Sequence, residues 1–185
     1  MKRFFTFITV FFLLGNGLHA VNYSIDLTQS SMTFTAEYLK LFQLTATCTQ
    51  FSGDIHWHDG YPEYSSFQGT AEVKKMSTGQ RFIDKQLMST DLFDEANYPQ
   101  ILFKSDSIQH VTANQFLVSG VVTAKGVSVE ISEPLTVTKL SEKTNSYRLQ
   151  THFSVNRRDF EIGNSFSTLI VGPKIRIELD FVVKR

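Results

Sequence analysis

Apolar and polar side chains alternate at every second position along most of the chain, and this alternation most limits how it can fold. The last such segment is the clearest: Ile175, Ile177 and Leu179 share one face, while charged residues between them share the other. A period of two is the pattern of a β-strand with one buried face. Comparable segments begin near residues 23, 32, 51, 67, 101, 116, 127 and 147. The sequence therefore predicts an all-β fold.

Turn-forming residues separate these segments, as at Asp59-Gly60 and Lys125-Gly126. Strands at such spacing, each with one apolar face, favour an antiparallel barrel or a sandwich. Residues 77–97 are the exception, because Phe82, Ile83 and Leu87 have near-helical spacing and predict one short helix. We expect residues 21–185 to form one domain, since no internal repeat or change in composition divides them.

Residues 1–20 have the layout of a secretory signal peptide. A basic start, Lys2-Arg3, precedes an apolar run at residues 4–14, and a breaker and the small residue Ala20 follow. The alternative is an uncleaved anchor, but the run is shorter than the roughly 20 residues that span a bilayer. We therefore expect cleavage near Ala20 and export of residues 21–185, with no stable membrane span.

Charge and cysteine content exclude several classes of protein. Eighteen basic and eighteen acidic residues give a formal net charge of zero, which argues against a general nucleic-acid binder. The single cysteine, Cys48, excludes an internal disulfide framework and a cysteine-built zinc site. Because Cys48 lies in a strand-like segment, we interpret it as a buried, unreactive thiol.

Phenylalanine and glycine together indicate an apolar cavity. The chain has seventeen Phe but only six Tyr and one Trp. Gly53, Gly69 and Gly120 lie on strand faces that are otherwise apolar. An eight-stranded barrel is either filled by its own side chains or able to hold one small ligand. Small residues beside Phe leave room inside apolar walls, so we expect space for a long apolar ligand.

Candidates for catalysis are few. Asp54, His56 and His58 alternate along one segment and could bind a metal, although a solvated polar face explains the same pattern. The sequence contains neither a Gly-x-Ser-x-Gly nucleophile motif nor a phosphate-binding glycine loop. We expect no catalytic residues and no cofactor, and we keep a hydrolase or metal-dependent enzyme that uses these three residues as the alternative.

Four stretches, in order along the chain, carry motifs of a known family. The second is the most specific, because it combines a Phe-Asp pair, a Tyr-Pro pair and a Phe-x-Ser spacing. The stretches are residues 23–34 (YSIDLTQSSMTF), 78–105 (with Thr78, Asp84 and Leu87, then DLFD and YPQILFKS), 120–128 (GVVTAKGVS) and 156–163 (NRRDFEIG), the last followed by the closing strand at residues 175–181. Together they resemble the YceI-like, polyisoprenoid-binding family of lipocalin-like proteins, and the resemblance covers essentially all of residues 21–185.

This resemblance implies an antiparallel lipocalin-like β-barrel of about eight strands with one short helix. It also implies a periplasmic protein that carries or sequesters an isoprenoid or other long-chain amphiphilic lipid in an apolar tunnel. Proteins of this family are commonly homodimers without established catalytic residues. The chain departs from the family where His often precedes the Ser of the first motif (here near Ser30) and where Gln86 replaces a His. These departures leave the identity of the lipid open.

Two sets of residues are the predicted ligand contacts. The first set is aromatic and is expected to line the apolar cavity: Phe34, Tyr38, Phe42, Phe82, Phe93, Phe103, Phe116, Phe153, Phe160 and Phe166. The second set is polar and is expected to meet the lipid head group at the mouth: Arg81, Asp84, Arg157 and Asp159.

Overall fold

The computed structural model describes residues 21–185, so the predicted signal peptide, residues 1–20, lies outside the described residues. Short 3-10 helices occur at Pro62–Tyr64, Val73–Lys75 and Arg157–Phe160. The regular elements are β1 (Val21–Ile25), β2 (Ser31–Tyr38), β3 (Phe42–Cys48), β4 (Phe51–Trp57), β5 (Ser66–Glu72), β6 (Met76–Ser77), α1 (Arg81–Leu87), β7 (Gln100–Thr112), β8 (Gln115–Ala124), β9 (Val127–Ser141), β10 (Ser146–Asn156) and β11 (Val171–Lys184).

Eight of the strands close into an antiparallel barrel in the order β1-β4-β5-β7-β8-β9-β10-β11. The last strand returns to the first, where Ser24 lies opposite Lys184 and Ile25 lies opposite Val183. The other three strands, β2, β3 and β6, extend the sheet from the remaining length of β11. The prediction of an eight-stranded antiparallel barrel is confirmed, as is the short helix beside it.

An aromatic core fills one end of the barrel. The ring of Trp57 packs edge-on against Phe116, with centroids 5.1 Å apart, and lies roughly parallel to Phe67 at 6.2 Å. Tyr23 and Tyr147 form a second edge-to-face pair at 5.3 Å. Such pairs add about 0.5–1.5 kcal/mol each beyond their burial. This end of the barrel is therefore a packed core.

Two smaller clusters close the opposite end. One is built around Cys48, Phe51 and Met76, and the other around Phe160 and Ile162 from the segment that connects β10 to β11. The segment that contains α1 contributes Leu92, Met88 and Phe93 to these clusters. Between the two packed ends, the inward-facing side chains of the strands leave an empty space.

The wall of the barrel is incomplete between two neighbouring strands. The ladder between β9 and β10 ends where Thr136 lies opposite Gln150. Beyond that point β9 remains paired with β8 as far as Val127, and β10 remains paired with β11 as far as Asn156. We call the space between residues 131–134 of β9 and residues 151–153 of β10 the β9–β10 gap.

Candidate functional site

An apolar cavity of about 190 Å³ occupies the middle of the barrel. Its walls are almost entirely carbon, because the strands turn their apolar faces inward. The side chains that face it are chiefly Ile25, Met32, Phe34, Phe51, Ile55, Phe67, Gly69, Ala71, Ile101, Phe103, Val118, Val122, Ile131, Glu133, Leu135, Leu149, Thr151, Phe153, Ile177, Leu179 and Phe181.

Three of the ten predicted aromatic contacts, Phe34, Phe103 and Phe153, line this cavity. Phe116 and Phe160 are instead buried in the packed clusters at the two ends, and Phe93 packs against the clusters that contain Phe51 and Phe160. The remaining four lie away from the cavity walls. Phe42 and Phe82 are 60% and 76% exposed, and Tyr38 and Phe166 are partly buried outside the barrel interior.

The four predicted head-group residues do not meet at the cavity. Arg81 and Asp159 are exposed on the surface. Asp84 accepts hydrogen bonds from the backbone N–H and hydroxyl of Thr78, both at 2.7 Å, and from the hydroxyl of Ser77. These bonds lower the pKa of the Asp84 carboxyl and tie the start of the helix to the preceding turn.

Arg157 is the one buried charge among the four. Its guanidinium, in a residue that is 2% exposed, donates hydrogen bonds to five backbone carbonyls. The carbonyls belong to Ile162, Gly163, Phe166, Val171 and Gly172. Burial, and then the charge of Arg158, lowers the pKa of Arg157. In this structure Arg157 therefore fixes the connection between β10 and β11 at the end of the barrel that contains Phe160.

The three glycines have different roles. A Cβ on Gly53 would lie 2.7 Å from the carbonyl oxygen of Gln68, and one on Gly120 would lie 2.8 Å from the Cα of Ser105. Both positions therefore need glycine for close approach of strands. A Cβ on Gly69 would meet nothing closer than 3.8 Å, and Gly69 lines the cavity. Gly69 is the glycine whose missing side chain leaves usable space.

Sequence reasoning missed one polar residue of the cavity, Glu133. It follows Ile131 and precedes Leu135 at the same two-residue spacing, so its side chain turns inward with theirs. Burial raises the pKa of its carboxyl above the ordinary value. The sequence alone could have identified Glu133, because it is an acidic residue at one of the inward-facing positions of β9.

The three residues of the enzyme alternative do not converge. Asp54 is exposed on β4, His56 shares a hydrogen bond with the amide oxygen of Asn22, and His58 accepts one from the backbone N–H of Tyr61 at 3.1 Å. Within residues 21–185, no three His, Cys, Asp or Glu side chains are grouped so as to hold a metal ion.

Comparison with known proteins identifies the family. Residues 23–183 match the YceI-like domain. The chain belongs to the YceI-like family. A relative in sequence is the UPF0312 protein plu2095 of Photorhabdus laumondii, which is 26% identical over 111 residues, or 59% of this chain. The matched segment makes up 57% of that relative, little more than half its length.

Solved structures show the same YceI-like fold. BcnA of Burkholderia cenocepacia superposes with a TM-score of 0.80 at 23% identity, covering 85% of this chain and 98% of BcnA. A polyisoprenoid-binding domain from Saccharophagus degradans, implicated in plant cell wall breakdown, gives 0.73 at 18% identity, covering 88% and 97%. The Campylobacter jejuni YceI protein also gives 0.73 at 18% identity, covering 78% and 86%.

The helices within residues 21–185 are short. Among the residues that the structure describes, none forms a helix with the length and apolar character needed to cross a membrane.

Proposed function

We propose that this YceI-like protein is a periplasmic binding protein that holds an isoprenoid or other long-chain amphiphilic lipid in its barrel and performs no chemistry on it. The observation that carries the proposal is the apolar cavity of about 190 Å³ at the centre of the barrel. Each methylene buried there contributes about 0.8 kcal/mol of affinity. An apolar interior with this shape favours a hydrocarbon chain over a polar metabolite.

The size of the cavity bears on how such a chain would lie. An apolar cavity of about 150 Å³ in another protein stays dry and binds benzene. The cavity in this barrel therefore suits a stretch of hydrocarbon, and the rest of a long chain has to pass through an opening in the wall. The solved relative from Saccharophagus degradans, described as a polyisoprenoid-binding domain, supports a ligand of this class.

Location in the periplasm rests on the sequence of residues 1–20, which has the basic start, apolar run and small residue of an export signal. Binding without catalysis rests on the cavity walls. Among the described residues that line the cavity, Glu133 alone has an ionisable side chain, and the hydroxyl of Thr151 near it is held by the carbonyl oxygen of Pro134.

The deciding experiment is extraction of the native protein. The full chain is produced in a Gram-negative host, recovered from the periplasm by osmotic shock and extracted with organic solvent for mass spectrometry. We expect about one long-chain lipid per barrel and a mature protein that begins near residue 21. An extract without lipid at that sensitivity argues against the binding function, and recovery only from the cytoplasm argues against export.

A further inference from the structure

Glu133 lies at the β9–β10 gap, and residues that line the cavity flank this gap on both sides. On one side, Ile131, Glu133 and Leu135 of β9 line the cavity, and on the other, Thr151 and Phe153 of β10 do so. The two strands are not laddered there, because their pairing ends at Thr136 and Gln150. The cavity therefore reaches the β9–β10 gap.

Pro134 and Thr151 prevent β9 and β10 from forming backbone hydrogen bonds where the gap begins. The hydroxyl of Thr151 donates a hydrogen bond to the carbonyl oxygen of Pro134 at 2.7 Å, so that carbonyl points toward β10. In an antiparallel strand the N–H and carbonyl of one residue point to the same side. Pro134 has no N–H to offer at that position, and a strand proline is confined to an edge or a bulge. A side-chain bond thus replaces the ladder where the gap begins.

The carboxyl of Glu133 lies in apolar surroundings at this gap. Val118 lies directly opposite on β8, and Ile131 and Leu135 flank it along β9. Glu133 is partly buried, and burial raises the pKa of its carboxyl. Within the described chain, its side chain takes part in no hydrogen bond or ion pair with protein groups. A carboxyl placed this way has its hydrogen-bonding capacity free for a ligand.

We propose that Glu133 contacts the polar end of the bound chain at the β9–β10 gap and selects ends that donate a hydrogen bond, such as those of long-chain alcohols and primary amides, over anionic ends. This rests on the proposed lipid-binding function. A carboxylate accepts hydrogen bonds from a hydroxyl or amide N–H. It repels a second carboxylate or a phosphate, and no Lys or Arg among the described cavity residues offsets that repulsion.

Three ligands with one chain length test the selection: 1-hexadecanol, hexadecanamide and hexadecanoate. Each displaces the fluorescent hydrophobic probe N-phenyl-1-naphthylamine from the delipidated full-length mature protein at pH 8. We expect hexadecanol and hexadecanamide to bind about tenfold more tightly than hexadecanoate. Glu133→Gln should bring the ratio close to one by removing the repulsion of the anion. Glu133→Leu should weaken the alcohol and the amide several-fold.

Glu130→Gln is the matched control, because Glu130 lies on the same strand with its side chain exposed on the outer face. It should keep the native ratio. Thermal unfolding of each variant reports folding, and Glu133→Leu is expected to unfold no lower than the native protein because it removes a partly buried carboxyl. An unchanged ratio in both Glu133 variants overturns the selection by Glu133 but leaves lipid binding standing. Failure of all three ligands to displace the probe overturns both.

Discussion

The phenol of Tyr147 on β10 donates a hydrogen bond to the carboxylate of Asp59 in the turn after β4, joining segments 88 positions apart in the chain. The same carboxylate accepts a bond from the indole N–H of Trp57 at 2.8 Å and pairs with the ammonium of Lys139 at 3.3 Å. Tyr147 and Trp57 belong to the aromatic core at this end of the barrel. Asp59 thus ties the surface turn to that core.

Asp59 should give the native protein a stability component that is lost in acid. Burial raises the pKa of the carboxyl, but the bonds from Tyr147 and Trp57 and the charge of Lys139 outweigh it, so the pKa lies below the ordinary 3.8. A lowered folded-state pKa stabilises the fold above the unfolded-state value, and that stabilisation disappears as pH falls through the folded value. Asp59→Asn should therefore flatten the decline of unfolding free energy below pH 4.

The size of this effect is modest because the Asp59 side chain is 54% exposed and water screens its interactions. We expect Asp59→Asn to cost about 1 kcal/mol of unfolding free energy at pH 7, measured by urea denaturation. Asp54→Asn, at an exposed position on β4, is the control and should leave the unfolding free energy at pH 7 unchanged. Equal acid slopes in native protein and Asp59→Asn would contradict the assignment.

Arg157 should be essential to the stability of the connection between β10 and β11. Its planar guanidinium reaches five carbonyls at once, a geometry that a single ammonium cannot reproduce. Arg157→Lys should lower the unfolding free energy by about 2–3 kcal/mol, since buried carbonyls lose their donors. Arg158→Lys changes the exposed neighbour in the same way and should cost little. Similar losses in the two variants would show that the five bonds are not the cause.

The barrel could be predicted from the sequence because its signal is local. The alternation of apolar and polar residues is enough to show which face of a strand is buried. In β11 the apolar residues of this alternation are Ile175, Ile177 and Leu179. The cavity could not be predicted in the same way. Phe103 and Phe116 both turn inward, yet Phe103 lines the cavity while Phe116 packs on Trp57. The two residues differ in their height along the barrel axis, and this height cannot be deduced from the sequence of a single strand.

Arg157 shows a second limit. A charged cluster in a loop is usually solvated, and the partners that bury Arg157 are backbone carbonyls, which leave no signature in the side-chain sequence. Glu133 is the opposite case. The alternation along β9 shows that its side chain points inward. Glu133 is found when acidic residues at inward positions are considered together with the apolar ones.

Cys48 should be unreactive in the folded protein. Its thiol is 1% exposed and donates to the carbonyl oxygen of Gln50 at 3.3 Å, and burial raises its pKa. Because the thiolate is the reactive form, a thiol reagent such as DTNB should react only as fast as the barrel opens, so the rate should rise with urea along the unfolding transition. The double variant Cys48→Ser/Ser52→Cys places a thiol on the exposed face of β4 and should react at once. Rapid reaction of native Cys48 without denaturant would contradict this prediction.

Gly69 should set how much hydrocarbon the barrel holds. Gly69 lines the cavity, and the nearest atom to an added Cβ is the carbonyl oxygen of Ser52 at 3.8 Å, so Gly69→Leu should fold and occupy ligand space. Displacing about two methylenes at 0.8 kcal/mol each lowers affinity for hexadecanol about tenfold. Displacement of N-phenyl-1-naphthylamine gives that affinity. Asp54→Leu adds the same side chain at an exposed position of the neighbouring strand β4, outside the cavity lining, and should bind hexadecanol as the native protein does.

Gly120→Ala separates loss of space from loss of fold. A Cβ there would crowd Ser105 Cα at 2.8 Å and the ring of Phe103 at 2.9 Å, so the neighbouring strand has to shift. We expect this variant to lose about 1–3 kcal/mol of unfolding free energy, while Gly69→Leu unfolds near the native midpoint. If Gly69→Leu were destabilised as much as Gly120→Ala, its weaker binding would reflect a damaged barrel rather than a filled cavity. If it folded normally and bound hexadecanol with native affinity, the ligand would not occupy the space beside Gly69.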